Sequence, residues 1–333
     1  MKYYGTLGPA CVSADILRKM MQAGMTGIRL NLSHKSLSES RDWIDTYFEA
    51  AGKEGIQPDF MIDLMGPELR IGVLPGEMVL ADGRKVILGG RQIPVPNVVI
   101  PFLKEGQIVS LDDGKIELGV ESIDNGKAVC RVLRGGRLTS RKSIVLPGCS
   151  IRQPVLTSMD HANLSCAREY GVTEVMLPFV RGKEDLQELQ EELKKQGCED
   201  IRIFAKIENM EGVRNLKEIL PECDTVVIAR GDLGNAVPLT ELPCIQDQIA
   251  EECRSQDKKF MVVTQLLDSM IHHSYPTRAE VSDIFQAVMQ GASALMLTGE
   301  TAMGRYPVEA MEVLTETGSQ AEKYLQIKLK KVQ

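Results

Sequence analysis

Short apolar runs and amphipathic stretches alternate along most of this chain. Strands are predicted near Lys2–Thr6, Gly27–Leu30, Phe60–Leu64, Glu174–Phe179, Ile201–Ile207, Thr225–Ala229, Phe260–Thr264 and Ala294–Leu297, each brief and bounded by turn signals. Helical patterns lie between them, as at Lys183–Gln196, Thr240–Gln256 and Arg278–Gln290, with a last one near Pro307–Tyr324. Strand-then-helix units in such succession predict an α/β fold, a (β/α)8 TIM barrel. The alternation breaks from roughly Ile71 to Pro154, where short alternating runs are divided by Asp82-Gly-Arg, Asp112-Asp-Gly, Asp124-Asn-Gly and Arg134-Gly-Gly. That stretch predicts a small all-β domain inserted after the third strand. The expected organisation is 1–70 as the first part of the barrel, 71–154 as the insertion and 155–333 as the remainder.

With 333 residues, 43% of them apolar, the chain can bury a large core and more than one domain. A net charge of −7 argues against nucleic acid or an anionic membrane as the main partner, while leaving room for a local basic pocket. No stretch approaches the roughly 18 apolar residues of a membrane helix, and the first residues read as a strand rather than a signal peptide. The cysteines at 11, 130, 149, 166, 198, 223, 244 and 253 form no C-x-x-C and no paired His/Cys spacing. They predict buried thiols in a reducing, cytoplasmic setting, without disulfides or zinc.

The most informative chemistry is Lys206-Ile-Glu-Asn followed by Arg230-Gly-Asp-Leu-Gly, each at the end of a buried strand. On consecutive parallel strands Glu208 and Asp232 project side by side at one end of the sheet. Two carboxylates and a lysine there suit a divalent metal and an anionic, oxygen-rich ligand. Taken singly, either motif reads more readily as a solvated ion-pair cluster. The other strand ends change that balance. They carry Arg29-Leu-Asn-Leu-Ser-His, Asp63 with Gly66-Pro-Glu-Leu-Arg, Thr264-Gln and Thr298-Gly-Glu-Thr. Barrel active sites sit at these C-terminal strand ends, and this set suits a phosphorylated substrate, a divalent metal and a monovalent cation.

At this point the residues resemble a family. Thr6-Leu-Gly-Pro-Ala, Ala23-Gly-Met, Arg29-Leu-Asn-Leu-Ser-His, Gly66-Pro-Glu-Leu-Arg, Lys206-Ile-Glu-Asn, Ala229-Arg-Gly-Asp-Leu-Gly, Thr264-Gln with Ser269-Met, Pro276-Thr-Arg-Ala-Glu and Gly299-Glu-Thr-Ala are similar to the motifs of pyruvate kinases, in the family's order. The resemblance implies phosphoryl transfer between phosphoenolpyruvate and ADP, giving pyruvate and ATP in glycolysis. It implies Glu208 and Asp232 as ligands of Mg²⁺ or Mn²⁺, and Gly231 and Asp232 backbone N–H groups for the substrate carboxylate. Lys206 and Arg29 would meet the phosphoryl group, and Thr264 would lie on the proton path to the methylene carbon. Asn31, Ser33, Asp63 and the Leu64 carbonyl look like the family's K⁺ cage, with Glu68 at the position that accompanies K⁺ dependence. Arg70, Lys142 and Asp113 fall on the nucleotide side, the last two matching a closing lid. Thr277-Arg-Ala-Glu reads instead as a helix N-cap.

Several positions depart from the family pattern. The chain ends with the barrel, whereas most members add a C-terminal α/β domain that carries an effector site. Met65 and Met303 stand where the family places lysines, Pro178 where it has serine, and Lys35 where it has glycine. These losses fall mainly on the nucleotide side. Two alternatives therefore stand beside the kinase: a paralogue that binds phosphoenolpyruvate or pyruvate as a sensor or partner, and a metal-dependent enzyme acting on a 2-oxo-acid enolate. A homodimer through barrel helices is compatible with the pattern.

Overall fold

The computed structural model describes residues 1–33, 35–112, 114–124, 126–149, 151 and 153–330. In chain order the strands are β1 (Lys2–Thr6), β2 (Gly27–Asn31), β3 (Asp59–Asp63), β4 (Met78–Leu80), β5 (Lys85–Leu88), β6 (Ile108–Leu111), β7 (Ile116–Asp124), β8 (Lys127–Arg134), β9 (Gly136–Leu138), β10 (Ile144–Val145), β11 (Glu174–Leu177), β12 (Arg202–Ile207), β13 (Thr225–Ala229), β14 (Lys259–Val263) and β15 (Ala294–Met296). The helices are α1 (Ala14–Gln22), α2 (Arg41–Glu54), α3 (Ser158–Cys166), α4 (Lys183–Lys195), α5 (Met210–Arg214), α6 (Leu216–Ile219), α7 (Arg230–Ala236), α8 (Leu242–Ser255), α9 (Arg278–Met289), α10 (Gly299–Ala302) and α11 (Pro307–Lys330). Two compact units result, one of residues 1–66, 155–234 and 239–333, the other of 67–154 with 235–238. Among the described residues no helix is long and apolar enough to cross a membrane.

In the first unit eight parallel strands close in the order β1-β2-β3-β11-β12-β13-β14-β15 and back to β1. This is the (β/α)8 barrel expected from the strand–helix alternation. Its strands coincide with the predicted runs to within a residue or two at each end. The period of two along a strand sends alternate side chains to the axis and to the helices. On β12, Phe204 packs in the axial cluster with Tyr4, Met61, Met176, Met261 and Met296, while Ile203, Ala205 and Ile207 are buried on the other face. Unbranched methionines fill an axis whose packing partners differ from strand to strand.

One step along β12 on either side of Phe204, the axial residues are charged. Toward the strand N-termini Arg202 meets Asp59 (2.5 Å) and Glu174 (2.6 Å). Lys2 Nζ lies 2.5 Å from Asp59, and Tyr4 Oη 2.9 Å from Glu174. Toward the C-termini Lys206 joins Asp63, Arg29 and Thr6. The barrel axis is thus an apolar layer between two ionic poles.

The second unit holds an antiparallel sheet in the order β10-β6-β7-β8-β5 and a β4-β9 pair. Its separate core includes Leu88, Val109, Leu111, Leu118 and Val132, all buried. In it, Lys142 Nζ lies 2.7 Å from Asp112 Oδ1, and Arg70 donates to Glu68 at 3.0 and 2.6 Å and to the Arg141 carbonyl at 2.9 Å.

The N-terminal pole yields a stability prediction. Burial, reinforced by the Asp59 charge, pushes the Glu174 carboxyl from 4.5 up to about 7 against the pull of Arg202. The folded chain then holds a proton that the unfolded chain releases, so this carboxyl's contribution to stability falls as pH rises from about 4.5 to about 7. Glu174→Gln should flatten the pH dependence of the thermal midpoint across that window and raise the midpoint above it. An unaltered slope in the variant would show that Glu174 does not set it.

Candidate active site

Lys206 stands at the C-terminal pole with its side chain 13% exposed. Its Nζ is 2.8 Å from Glu208 Oε1 and 3.4 Å from Asp63 Oδ2. Burial alone would lower this ammonium's pKa, but Asp63, Glu208 and Asp232 together outweigh burial and the nearby Arg29 charge and hold it raised. Lys206 is therefore a fixed cation at neutral pH. Asp63, on β3, is paired in register with Asn31 on one side and Met176 on the other. Its Oδ2 accepts from Arg29 Nε at 2.8 Å and Nη2 at 2.5 Å. One carboxylate oxygen thereby joins cations from β2 and β12, with Lys206 reaching past β11.

Glu208 is 3% exposed, and its Oε2 accepts from the Phe179 N–H at 2.8 Å. Phe179 holds that N–H from a left-handed backbone, φ +56°. Glu208 Oε1 and Asp63 Oδ1 are both buried without a hydrogen-bond donor; the ammonium beside Glu208 offers charge but no hydrogen-bond geometry. Buried carboxylate oxygens in that condition fit a hard cation, which asks for oxygen ligands. Asp232 lies in the first turn of α7, the helix that β13 leads into, and its charge is felt at Lys206. Among the described residues no three His, Cys, Asp or Glu side chains form a ready-made cage. The chain offers two carboxylates, the share that Mg²⁺ usually takes from protein when phosphates supply the rest.

Thr264 follows β14 and is level with Arg230, because Ala229 pairs with Val263. Its φ is +71°, and that of Gln265 is +52°. For a β-branched residue the left-handed region costs on the order of 1–3 kcal/mol and must be held by its surroundings. Thr264 Oγ1 accepts from the Gly231 N–H at 2.9 Å and donates to the Val263 carbonyl at 2.6 Å. Arg230 donates to the Thr264 carbonyl from Nη2 at 2.7 Å and from Nε at 3.2 Å.

Several ties that hold these loops were not predicted. Asp160, fully buried, accepts from Met65 N–H (2.8 Å), Gly66 N–H (3.1 Å), and the N–H (2.9 Å) and hydroxyl (2.7 Å) of Thr157. It closes the capping box of α3 and fixes the loop after β3 with one carboxylate. Glu300, 1% exposed, accepts from the N–H groups of Leu267 (3.1 Å) and Thr298 (2.7 Å), joining the loops after β14 and β15. The Thr157-x-x-Asp160 spacing was the available signal for the first. The second was visible only as a strand-end acid.

Asn31 Oδ1 accepts from the Ser33 N–H at 3.1 Å, a turn closed by its own side chain. Leu64 follows Asp63, with its N–H on the Met176 carbonyl at 3.0 Å. Lys206, Glu208, Asp63 and Arg29 are thus brought together, while Thr264 and Gly231 form an adjoining pair. Arg70 and Lys142 belong to the inserted unit, and His34 and Asp113 lie outside the described residues.

The fold and this pole define a (β/α)8-barrel protein with a buried lysine–carboxylate centre at its strand C-termini. A family profile described as "Pyruvate kinase, barrel domain" matches residues 1–311, and the chain belongs to the pyruvate kinase family. The pyruvate kinase of Aeropyrum pernix is 40% identical over 329 residues, which cover 98% of this chain and 71% of that protein. Those of Bacillus licheniformis and Geobacillus stearothermophilus are each 37% identical, over 96% of this chain and 57% of their own length. The chain therefore spans little more than half the length of these last two relatives.

Asp160→Ala should lower stability by about 2–4 kcal/mol, the loss of the acidic half of the capping box and of charge-assisted bonds to two loop N–H groups. Urea unfolding measures this, and a change under about 0.5 kcal/mol would contradict the role given to Asp160.

Proposed function

We propose that this chain transfers the phosphoryl group of phosphoenolpyruvate to ADP and protonates the resulting enolate to pyruvate. The observation that carries the reading is Lys206, a buried permanent cation held between Asp63 and Glu208 with Asp232 and Arg29 around it. Little covalent chemistry is asked of protein in phosphoryl transfer. Catalysis rests on positioning and on charge placed where negative charge develops.

Each residue then has a task. Lys206 stabilises the equatorial oxygens of the phosphoryl group in transit and then the enolate oxygen. Arg29 binds the phosphoryl group from its own side, its orientation set by Asp63. Glu208 and Asp232 would hold Mg²⁺ or Mn²⁺, which when bound supplies Lewis-acid charge to substrate oxygens. The N–H groups of Gly231 and Asp232, opening α7, are assigned to the substrate carboxylate, which would displace the Thr264 hydroxyl that the Gly231 N–H meets in the free chain. Asn31, Ser33, Asp63 and the Leu64 carbonyl offer oxygens for K⁺, a reading that the buried, donor-free Asp63 Oδ1 supports. Thr264 directs a proton to the methylene carbon, through water, because an alcohol is a weak acid. Arg70 is assigned to the nucleotide phosphates, and Lys142 and Asp113 are assigned as lid residues of the nucleotide side.

Met303, 68% exposed where the resemblance leads one to expect a lysine, favours weak nucleotide binding. A lost charge-assisted contact costs on the order of 1–3 kcal/mol, one or two powers of ten in affinity. Met303→Lys should therefore lower KM for ADP and leave KM for phosphoenolpyruvate unchanged. An ADP KM that does not move would remove Met303 from the nucleotide side.

The decisive assay follows pyruvate formation with phosphoenolpyruvate, ADP, Mg²⁺ and K⁺, each omitted in turn. Pyruvate should appear only with ADP and the divalent ion, and Na⁺ should not replace K⁺. Lys206→Met should reduce turnover by about 10²–10³-fold or more. No turnover with phosphoenolpyruvate still bound would favour the sensor reading instead.

A further inference from the structure

The left-handed turn at Thr264 is held from behind by two charged side chains, Arg230 and Asp283. Arg230 divides its guanidinium between two partners. Nη2 and Nε face the Thr264 carbonyl, and Nη1 lies 2.7 and 2.6 Å from the two carboxylate oxygens of Asp283. The Arg230 side chain is 11% exposed and that of Asp283 33% exposed. Planar guanidinium geometry makes this arrangement directional: with Nη1 fixed by both oxygens of a carboxylate, the other edge can face only one way.

Asp283 sits on α9, a helix whose start is also fixed. Thr277 and Glu280 form its capping box, and Glu280 reaches out to the Ser269 N–H at 2.7 Å and the Ser269 hydroxyl at 2.6 Å. Glu280 and Asp283 are three residues apart, one turn, and so share a helix face. That face grips the segment after β14 at two points. Glu280 holds Ser269 directly, and Asp283 holds Thr264 through Arg230. Between these points lies Gln265, also left-handed.

We infer that Asp283 is a positioning residue for the proton step, locking the Thr264 turn through Arg230 so that the Thr264 hydroxyl faces the first turn of α7. The functional consequence rests on the phosphoenolpyruvate reading; the clamp itself rests on geometry alone. Arg230 immediately precedes Gly231 and Asp232, so the clamp ties the strand end that carries Asp232 to the one that carries Thr264. Without Asp283, the guanidinium can rotate off the Thr264 carbonyl, and the turn loses what opposes its relaxation to negative φ. The Gly231 N–H to Thr264 Oγ1 bond would go with it. Protonation of the enolate carbon, which forms the methyl C–H bond with one proton drawn from solvent, would then slow. Phosphoenolpyruvate binding uses Arg29, Lys206, the divalent ion that Glu208 and Asp232 would hold and the Gly231 and Asp232 N–H groups, all of which the variant retains, and would change little.

The test uses Asp283→Ala and Asp283→Glu in the full chain, with three readouts. Deuterium uptake into the methyl group of pyruvate in D2O, with Mg²⁺, K⁺ and ATP, should fall about 10-fold or more in Asp283→Ala and recover in part in Asp283→Glu. The KM for phosphoenolpyruvate should stay within about 2-fold while kcat falls, the mark of an interaction used only in the chemical step. The crystal structure of Asp283→Ala should show Thr264 out of the left-handed region. Thr264 remaining at positive φ on the same partners would overturn the clamp. So would unchanged deuterium uptake in a chain that turns over, or a rise in KM that matches the fall in kcat. Should the unsubstituted chain neither exchange nor transfer, the phosphoenolpyruvate reading fails, and the variant's structure still decides for or against the clamp.

Discussion

The C-terminal pole depends on one shared atom, Asp63 Oδ2. It accepts two guanidinium N–H groups of Arg29 and lies 3.4 Å from Lys206 Nζ. Two cations this close, mostly removed from water, repel strongly unless an anion stands between them. Asp63, 2% exposed, is that anion. Its position follows from strand register, because Asn31 and Asp63 pair on adjacent strands and Met176 pairs with Asp63 on the next. Shifting β3 by one residue would turn Asp63 toward the helices and leave Arg29 and Lys206 facing each other.

The same constraint explains the layering of the axis. A barrel this small fills its interior with side chains, so its inward residues must be apolar or fully paired. The central layer is apolar, with methionines from β3, β11, β14 and β15. Both poles are ionic, but they meet the constraint in different ways. At the N-terminal pole Lys2, Tyr4, Asp59, Glu174 and Arg202 pair among themselves, and burial drives the one surplus carboxyl, Glu174, toward neutrality. At the C-terminal pole the carboxylates hold Lys206 charged, and two carboxylate oxygens remain buried without donors. The N-terminal pole also leaves Glu174 Oε2 and Arg202 Nε without hydrogen-bond partners. The poles therefore differ in charge state and not in completeness of pairing: one drives its surplus carboxyl toward neutrality, and the other keeps its lysine charged.

The barrel was legible because each of its strands is a compact run with a hydrophobic signal that local turns confirm. Lys206, Glu208, Asp63, Arg29 and Thr264 were legible as strand-end polar residues, since parallel strands bring such ends together whatever the helices between them do. The partners of those residues were not. Asp160 sits inside a helix start, Asp283 on a helix face and Phe179 at the end of a strand. Each acts by holding a backbone group or a guanidinium, which leaves no signature of residue type. Thr277 and Glu280 were legible as a cap, yet the reach of Glu280 to Ser269 was not, because it crosses between elements. Nor does any residue type announce the left-handed turn at Thr264. A β-branched residue is a poor candidate for that conformation, and only the tertiary clamp makes it tenable.

Two of the departures from the family's motifs are absorbed by backbone anchoring. The loop after β3 is fixed by the N–H groups of Met65 and Gly66 on Asp160, a contact indifferent to the side chain at 65. Gly66 has φ +58°, and a Cβ there would lie 2.4 Å from Pro178 Cγ. Proline at 178 and glycine at 66 therefore form a matched pair in which the ring occupies the space a side chain would need. Neither Met65 nor Pro178 is required to make the polar contacts that hold Lys206, Glu208 or Asp63. Met303 is different. It is exposed, and the tight loop behind it, where the Arg305 N–H donates to the Ile271 carbonyl at 3.0 Å, is closed by backbone alone. Nothing in the packing demands methionine at 303, so what that position contributes lies in what it presents to solvent and not in holding the barrel together.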